Sequence, residues 1–191
     1  FLGGKLMFRG DCDYKIKYDV IEVTSIAGAD YFVDPFTSVV KMGCAFVYEE
    51  LEGDFILTAR VSVEKSNIYD GAALMCIQDD RHWIKACLEQ GNWGFASVCT
   101  VVTNTYSDDA NGVTVDKNEI WLRLARTGDT FSVHYSYDGK EFFMARLARV
   151  PMNSKLKVGF EAQSPNGKAN TCYFRDYSLV YHGFEDPRMA N

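Results

Sequence analysis

Basic charge is scarce in this chain: 20 lysines and arginines stand against 26 acids, a net charge of −6. That balance offers no footprint for nucleic acid or an anionic lipid surface, and neither partner is expected. The three histidines, His82, His134 and His182, are far apart and form no HxH or HExxH spacing. No metal site or catalytic triad is therefore expected on them. The six cysteines, Cys12, Cys44, Cys76, Cys87, Cys99 and Cys172, include no CxxC pair and no Cys/His zinc spacing. A glycine-rich phosphate loop and a dinucleotide fingerprint are also missing, so no cofactor is expected. The longest apolar runs fall far short of the ~20 residues of a membrane helix, and no membrane contact is expected. No stretch holds a long helical period; Pro151-Met152-Asn153-Ser154 allows one helical turn at most.

What is present favours sheet. Hydrophobic residues make up 47% and aromatics 14%, enough for a substantial core of strand-forming side chains. Short alternating segments recur: Lys5–Phe8, Tyr14–Val20, Asp30–Val33, Cys44–Tyr48, Asp54–Val63, Ala72–Ile77, His82–Glu89 and Gly94–Asn104. Glu119–Arg126, Thr130–Tyr137, Lys140–Ala148, Leu156–Gln163 and Asn170–Tyr181 complete the series. Turn chemistry separates them at Gly53, Gly91-Asn92, Asn111-Gly112, Gly128, Asp138-Gly139 and Asn166-Gly167. Asp138-Gly139 carries the signature of a two-residue type I′ hairpin. About twelve to fourteen strands without crossover helices predict an all-β protein, a two-sheet antiparallel β-sandwich. One domain is expected over residues 1–182, with a polar tail at 183–191. Cys76, Cys87, Cys99 and Cys172 sit in strand-like runs, where free cysteine acts as a small hydrophobe. With no signal-peptide pattern, reduced thiols and a cytoplasmic location are expected.

The segment Asp70–Glu89 reads as a hairpin. Its second strand puts Trp83, Lys85 and Glu89 on one face and Ile84, Ala86 and Leu88 on the other. One side suits a core, and the other offers polar chemistry.

From Asp54 onward a series of short motifs keeps a fixed order. It runs through Gly53-Asp54-Phe55, Tyr69-Asp70-Gly71-Ala72-Ala73-Leu74, Trp83-Ile84-Lys85 with Glu89, and Val101-Val102-Thr103-Asn104. Ser107-Asp108, Trp121-Leu122-Arg123 with Arg126, His134-Tyr135-Ser136 with Asp138-Gly139, and Arg146 follow. Val158-Gly159-Phe160 and Phe174-Arg175-Asp176-Tyr177 close it. This series resembles the DUF1349 family, the regulation-of-enolase-like proteins. The chain departs from the family pattern at Gly71, where Gln is usual, and at Asp109, where Trp is usual. The resemblance implies the jelly roll of the concanavalin A-like lectins and glucanases, and a protein partner through control of a glycolytic enzyme.

In such a sandwich a concave sheet face forms a groove, and Trp83, Lys85 and Glu89 are expected to face it. Arg123, two residues from Trp121 on the same strand face, and Arg146 are candidate cations beside them. Asp70, Thr103, Tyr135 and Glu161 complete the expected binding set. The arginines would hold a carboxylate or phosphate bidentately; alternatively Trp83 would act as a platform for sugar hydroxyls. A mutually satisfied ion-pair network is the plain alternative. Glycoside hydrolysis needs two carboxylates flanking one bond. The Glu-x-Asp-x-Glu strand of related glucanases is missing, which leaves Asp70, Glu89 and Glu161 to converge from separate strands. The expectation is a non-catalytic protein that binds a small polar ligand or saccharide, or regulates a protein partner. A carbohydrate-active enzyme or its accessory domain, and a structural homo-oligomer without ligand, are the alternatives.

Overall fold

The computed structural model describes residues 6–10, 13–64 and 67–190. Cys12 and Lys5, named above, lie outside them. In chain order the strands are β1 Met7–Arg9, β2 Asp13–Lys17, β3 Val20–Ile26, β4 Tyr31–Val33, β5 Val40–Met42, β6 Ala45–Glu52, β7 Phe55–Val63 and β8 Gly71–Asp79. They continue as β9 His82–Gln90, β10 Ala96–Asn104, β11 Tyr106–Val115, β12 Glu119–Thr127, β13 Thr130–Ser136, β14 Phe143–Arg149, β15 Lys155–Gln163 and β16 Ala169–Val180. Fourteen of them build two seven-stranded antiparallel sheets, and the described residues contain no helix. The front sheet has the order β1-β6-β15-β8-β9-β10-β11, and the back sheet β14-β13-β12-β7-β16-β3-β2.

Alternation along each strand decides what lies between the sheets. Ala72, Leu74 and Cys76 of β8 and Ile84, Ala86 and Leu88 of β9 point inward. They meet Leu57, Ala59 and Val61 of β7, Leu122 and Leu124 of β12, and Phe131 and Val133 of β13. Phe160 of β15 and Phe174 of β16 pack ring to ring across the gap, with centroids 4.7 Å apart. Each of the larger side chains among these, leucine, isoleucine, valine or phenylalanine, contributes about 1.5–3 kcal/mol by leaving water.

The outer face of the front sheet carries a second apolar cluster. Phe46, Met75, Ile77, Trp83, Cys87, Cys99 and Val101 collect there under Tyr31. The hairpin β4–β5 covers them. Its turn is closed by the Asp34 carboxylate, which accepts the Phe36 and Thr37 amides at 2.7 and 2.9 Å. Val33 N–H donates to Ser107 Oγ at 2.9 Å, and the Tyr31 ring meets Trp83 edge-on at 5.2 Å.

Three local expectations change. Tyr14–Val20 is not one strand: the chain turns at Tyr18, whose φ of 54° is left-handed, and a further strand begins at Val20. Without a glycine at that turn, the alternation of Ile21, Val23 and Ser25 belonged to no expected element. Tyr106–Val115, rich in Asp and Asn, is an edge strand that pairs, among the described residues, only with β10. A solvated edge tolerates such polarity and is protected by it. The Asn111-Gly112 pair lies within this strand instead of turning it. Third, Asp138-Gly139 sits in a six-residue loop, 137–142, between β13 and β14, where the Asp138 carboxylate caps the Lys140 and Glu141 amides.

Residues 183–190 cross the outer face of the back sheet. Phe184 N–H donates to Thr127 Oγ1 at 3.1 Å, its ring meets His134 edge-on, and Arg123 donates to the Ala190 carbonyl.

Gly159 marks the tightest strand approach near the site. A Cβ there would collide with the Val47 carbonyl and lie 2.7 Å from Tyr48 Cα, both backbone atoms of β6. Gly159→Ala is expected to destabilise the fold by ~2 kcal/mol or more, since neither strand can yield by rotating a side chain. Thermal unfolding checks this, and an unchanged midpoint would contradict it.

Candidate functional site

The site grows from rows set by register on the outer face of the front sheet. Gln163, Gly71, Glu89 and Ser97 stand side by side across four strands. Glu161, Ala73, Cys87 and Cys99 form the next row, and Gly159, Met75, Lys85, Val101 and Asp109 the one after. Strand β8, in the middle, contributes only Gly71 and Ala73 to the first two rows. Over that low stretch Lys85 of β9 reaches Gln163 of β15.

The Lys85 side chain is 2% exposed. It donates to Gln163 Oε1 at 2.6 Å and to the Tyr31 carbonyl at 3.0 Å, and lies 3.8 Å from Asp30 Oδ1. Gln163 Nε2 donates onward to Glu89 Oε2 and to the Tyr69 carbonyl, both at 2.8 Å. These partners fix the amide: a lysine only donates and a carbonyl only accepts. Tyr69 holds a left-handed φ of 70°, and its N–H bonds the Gln90 carbonyl at 2.8 Å. A non-glycine residue in that conformation is retained only where its surroundings over-determine it. On the other wall, Asp30 Oδ2 pairs with Lys41 at 3.2 Å.

Burying an ammonium works against its charge. Here the carboxylates around it, Glu161 first and then Asp30 and Glu89, outweigh burial and hold the Lys85 pKa above the ordinary lysine value. Glu89 rises to about 7 because it is buried and faces Asp109 and Asp30; Lys85 and the Gln163 hydrogen bond act in the opposite direction. Glu161 is fully buried, with neither carboxylate oxygen bonded to an N–H or O–H. Burial raises it to about 7 as well, against the pull of Lys85 and the neighbouring Cys44 thiol.

Above this floor a cavity of about 440 Å³ opens. Lys85, Glu89 and Gln163 line its base, Asp30 and Lys41 the hairpin side, and Asp109 the β11 side. Tyr69 and Trp93 stand at the rim, 42% and 60% exposed. The Trp93 indole lies over Gly91, where a Cβ would come within 2.8 Å of its Nε1.

Of the residues expected from sequence, Lys85 and Glu89 meet in the pocket and Glu161 is buried in the adjoining row. The others are corrected. Trp83 is no platform: it is fully buried beneath Tyr31. Thr103 is buried and hydrogen-bonds Ser107 at 2.8 Å under the same hairpin. Asp70 lies buried in the loop before β8, accepting from Asn67 N–H and Ser164 Oγ, each at 2.8 Å. Arg123, Tyr135 and Arg146 belong to the back sheet. Arg123 stacks on Phe142 under the C-terminal segment, and Tyr135 packs on Phe143 and Tyr137. Arg146 pairs with Asp108 at 2.8 Å, clasping the two sheet edges. Sharing a strand face did not bring them to the groove, because their strands belong to the other sheet. Gln163, Asp30, Lys41, Asp109, Tyr69 and Trp93 also line the pocket, none of them expected there from the sequence. Gln163 carried a usable signal, lying two residues from Glu161 on one strand face. Trp93 carried another, an aromatic in a Gly91-Asn92-Trp93-Gly94 loop with no apolar alternation to bury it.

The fold and pocket define a class: an antiparallel concanavalin A-like sandwich with a polar, aromatic-rimmed cavity on one sheet. The chain belongs to the family described as "Protein of unknown function (DUF1349)", whose model matches residues 11–181. It is 28% identical over 152 residues to Regulation of enolase protein 1 of Saccharomyces cerevisiae, covering 79% of this chain and 76% of that one. The crystal structure of a functionally unknown protein from Saccharomyces cerevisiae superimposes with a TM-score of 0.85 at 24% identity, over 93% of this chain and 96% of the other. The carbohydrate binding module CBM66 from Bacillus subtilis shares the fold, with a TM-score of 0.57 at 13% identity over 90% and 94% of the two chains.

The charge network sets a pH dependence. Glu89 and Glu161 sit near 7 in the folded protein against an ordinary 4.5. Between those values the folded chain binds protons that the unfolded chain has released. Their stabilising contribution is therefore complete below about pH 4.5 and is lost as pH rises through about 7. Lys85→Met leaves Glu161 without its countercharge and is expected to cost about 3–5 kcal/mol at pH 8.5. At pH 5, where Glu161 is protonated, the loss is expected to be clearly smaller. Urea denaturation at both values checks this; equal losses would contradict the coupling.

Proposed function

We infer that the pocket is a saccharide-binding site and that the protein binds without catalysing. One observation carries the reading: an open cavity combines a rigid hydrogen-bonded base, Lys85–Gln163–Glu89, with exposed aromatic faces at its rim. Sugars present alternating hydroxyls and apolar C–H faces, and such a cavity offers partners for both. The likeness to a carbohydrate binding module supports the same reading through the fold alone. Of the three carboxylates expected from the sequence to converge for a hydrolase, only Glu89 opens onto the cavity. Asp70 is sealed in its loop, and Glu161 lies fully buried.

A second reading, control of a glycolytic enzyme through protein contact, draws on the relative named for regulation of enolase. Phe36 favours it, standing 95% exposed at the tip of the same hairpin that holds Lys85 through the Tyr31 carbonyl. The buried, unpaired thiols of Cys44, Cys76, Cys87, Cys99 and Cys172 suit a reducing compartment, and a cytoplasmic location belongs to this proposal.

Two tryptophan substitutions separate platform from core. Trp93→Ala is expected to weaken binding to positive spots on a glycan array by about tenfold, ~1.4 kcal/mol, with an unchanged melting temperature. Trp83→Ala is expected to destabilise the fold by about 3–5 kcal/mol. Binding that ignores Trp93→Ala, or an array with no positive spot, would overturn the saccharide reading.

A further inference from the structure

Resting on that saccharide reading, we propose that the site selects its sugar by charge, preferring a ring that carries an ammonium group and rejecting one that carries a carboxylate. Among the described residues the cations of the pocket are already committed. Lys85 is buried with its hydrogen bonds directed to Gln163 and Tyr31, and Lys41 is paired with Asp30. Among the described residues no arginine lines the cavity. An anionic ligand would have to break one of these pairs to find a countercharge.

Acceptors, by contrast, remain open. Among the described residues four acidic side chains, Asp30, Asp34, Glu89 and Asp109, line the cavity against two lysines. Glu89 gives one oxygen to Gln163, and Asp109 gives one to the Cys99 thiol at 3.1 Å. The second oxygen of each has no donor among the described residues. Glu89 and Asp109 project from the same sheet, with β10 between their strands and Trp93 at the rim of the cavity they line. A ring laid on the indole therefore meets carboxylate acceptors on its polar edge. Hydroxyls satisfy them as neutral donors, an ammonium satisfies them with added Coulomb attraction, and a sugar carboxylate meets repulsion and no free donor.

The test titrates matched oligosaccharides that differ in one group: glucosamine, glucose and glucuronic acid oligomers, with the corresponding galacto series, at pH 7 in 50 and 500 mM salt. Affinity is expected to fall from amine to hydroxyl to carboxylate by about tenfold per step, and the steps to shrink at high salt. Asp109→Asn, or Glu89→Gln should that variant fail to fold, is expected to narrow the amine preference severalfold while the melting profile is retained. Equal affinities, a preference for the acidic sugar, or an amine preference that both variants keep would overturn charge selection and leave the saccharide reading standing. No binding by any of the six oligomers, together with an array without positive spots, would overturn both.

Discussion

A charged lysine held inside a sheet face organises this molecule. An unpaired buried ammonium costs several kcal/mol, so its surroundings must answer it on every side. The Tyr31 carbonyl does so from the hairpin, Gln163 from a strand two places away, and Asp30 and Glu161 by charge. Each answer constrains something further. The hairpin β4–β5 has to dock where its carbonyl faces Lys85, which buries Tyr31 on Trp83. Strand β8 has to be small at Gly71 and Ala73 so that the side chain passes. The turn at Tyr69 has to hold a left-handed residue so that its carbonyl orients Gln163.

The same constraint shapes the pocket. Lys85 pins the amide of Gln163, Gln163 pins one oxygen of Glu89, and the other oxygen is left for a ligand. A base fixed in this way binds without first having to order itself, which lowers the entropic cost of recognition. The hairpin links this base to the Phe36 tip, so a sugar in the cavity and a protein at the tip would act on one element.

The sandwich was legible because its strands keep a two-residue period. Ile84, Ala86 and Leu88 announce an inward face, and Trp83, Lys85 and Glu89 an outward one. What alternation does not say is which sheet a strand joins, and for that reason Arg123, Tyr135 and Arg146 were drawn toward a groove they do not reach. Nor does it show that an outward face is covered: Trp83 and Thr103 point out of the sandwich and are buried all the same, because Tyr31 and Val33 lie over them. Part of the pocket comes from short segments that carry no mark of where they dock, the Asp30 wall and the Trp93 loop. Their place depends on tertiary docking, which local pattern does not encode.

Coupled charges lie beneath the pocket, and carboxyl carbon NMR of glutamate-labelled protein reads them directly. Across a pH titration, Glu89 and Glu161 are predicted to give two resonances with midpoints near 7, apart from the other glutamates. Both are further predicted to move higher in Lys85→Met, where the ammonium no longer favours their ionised forms. Every glutamate titrating near 4.5, unmoved by the loss of Lys85, would contradict the account.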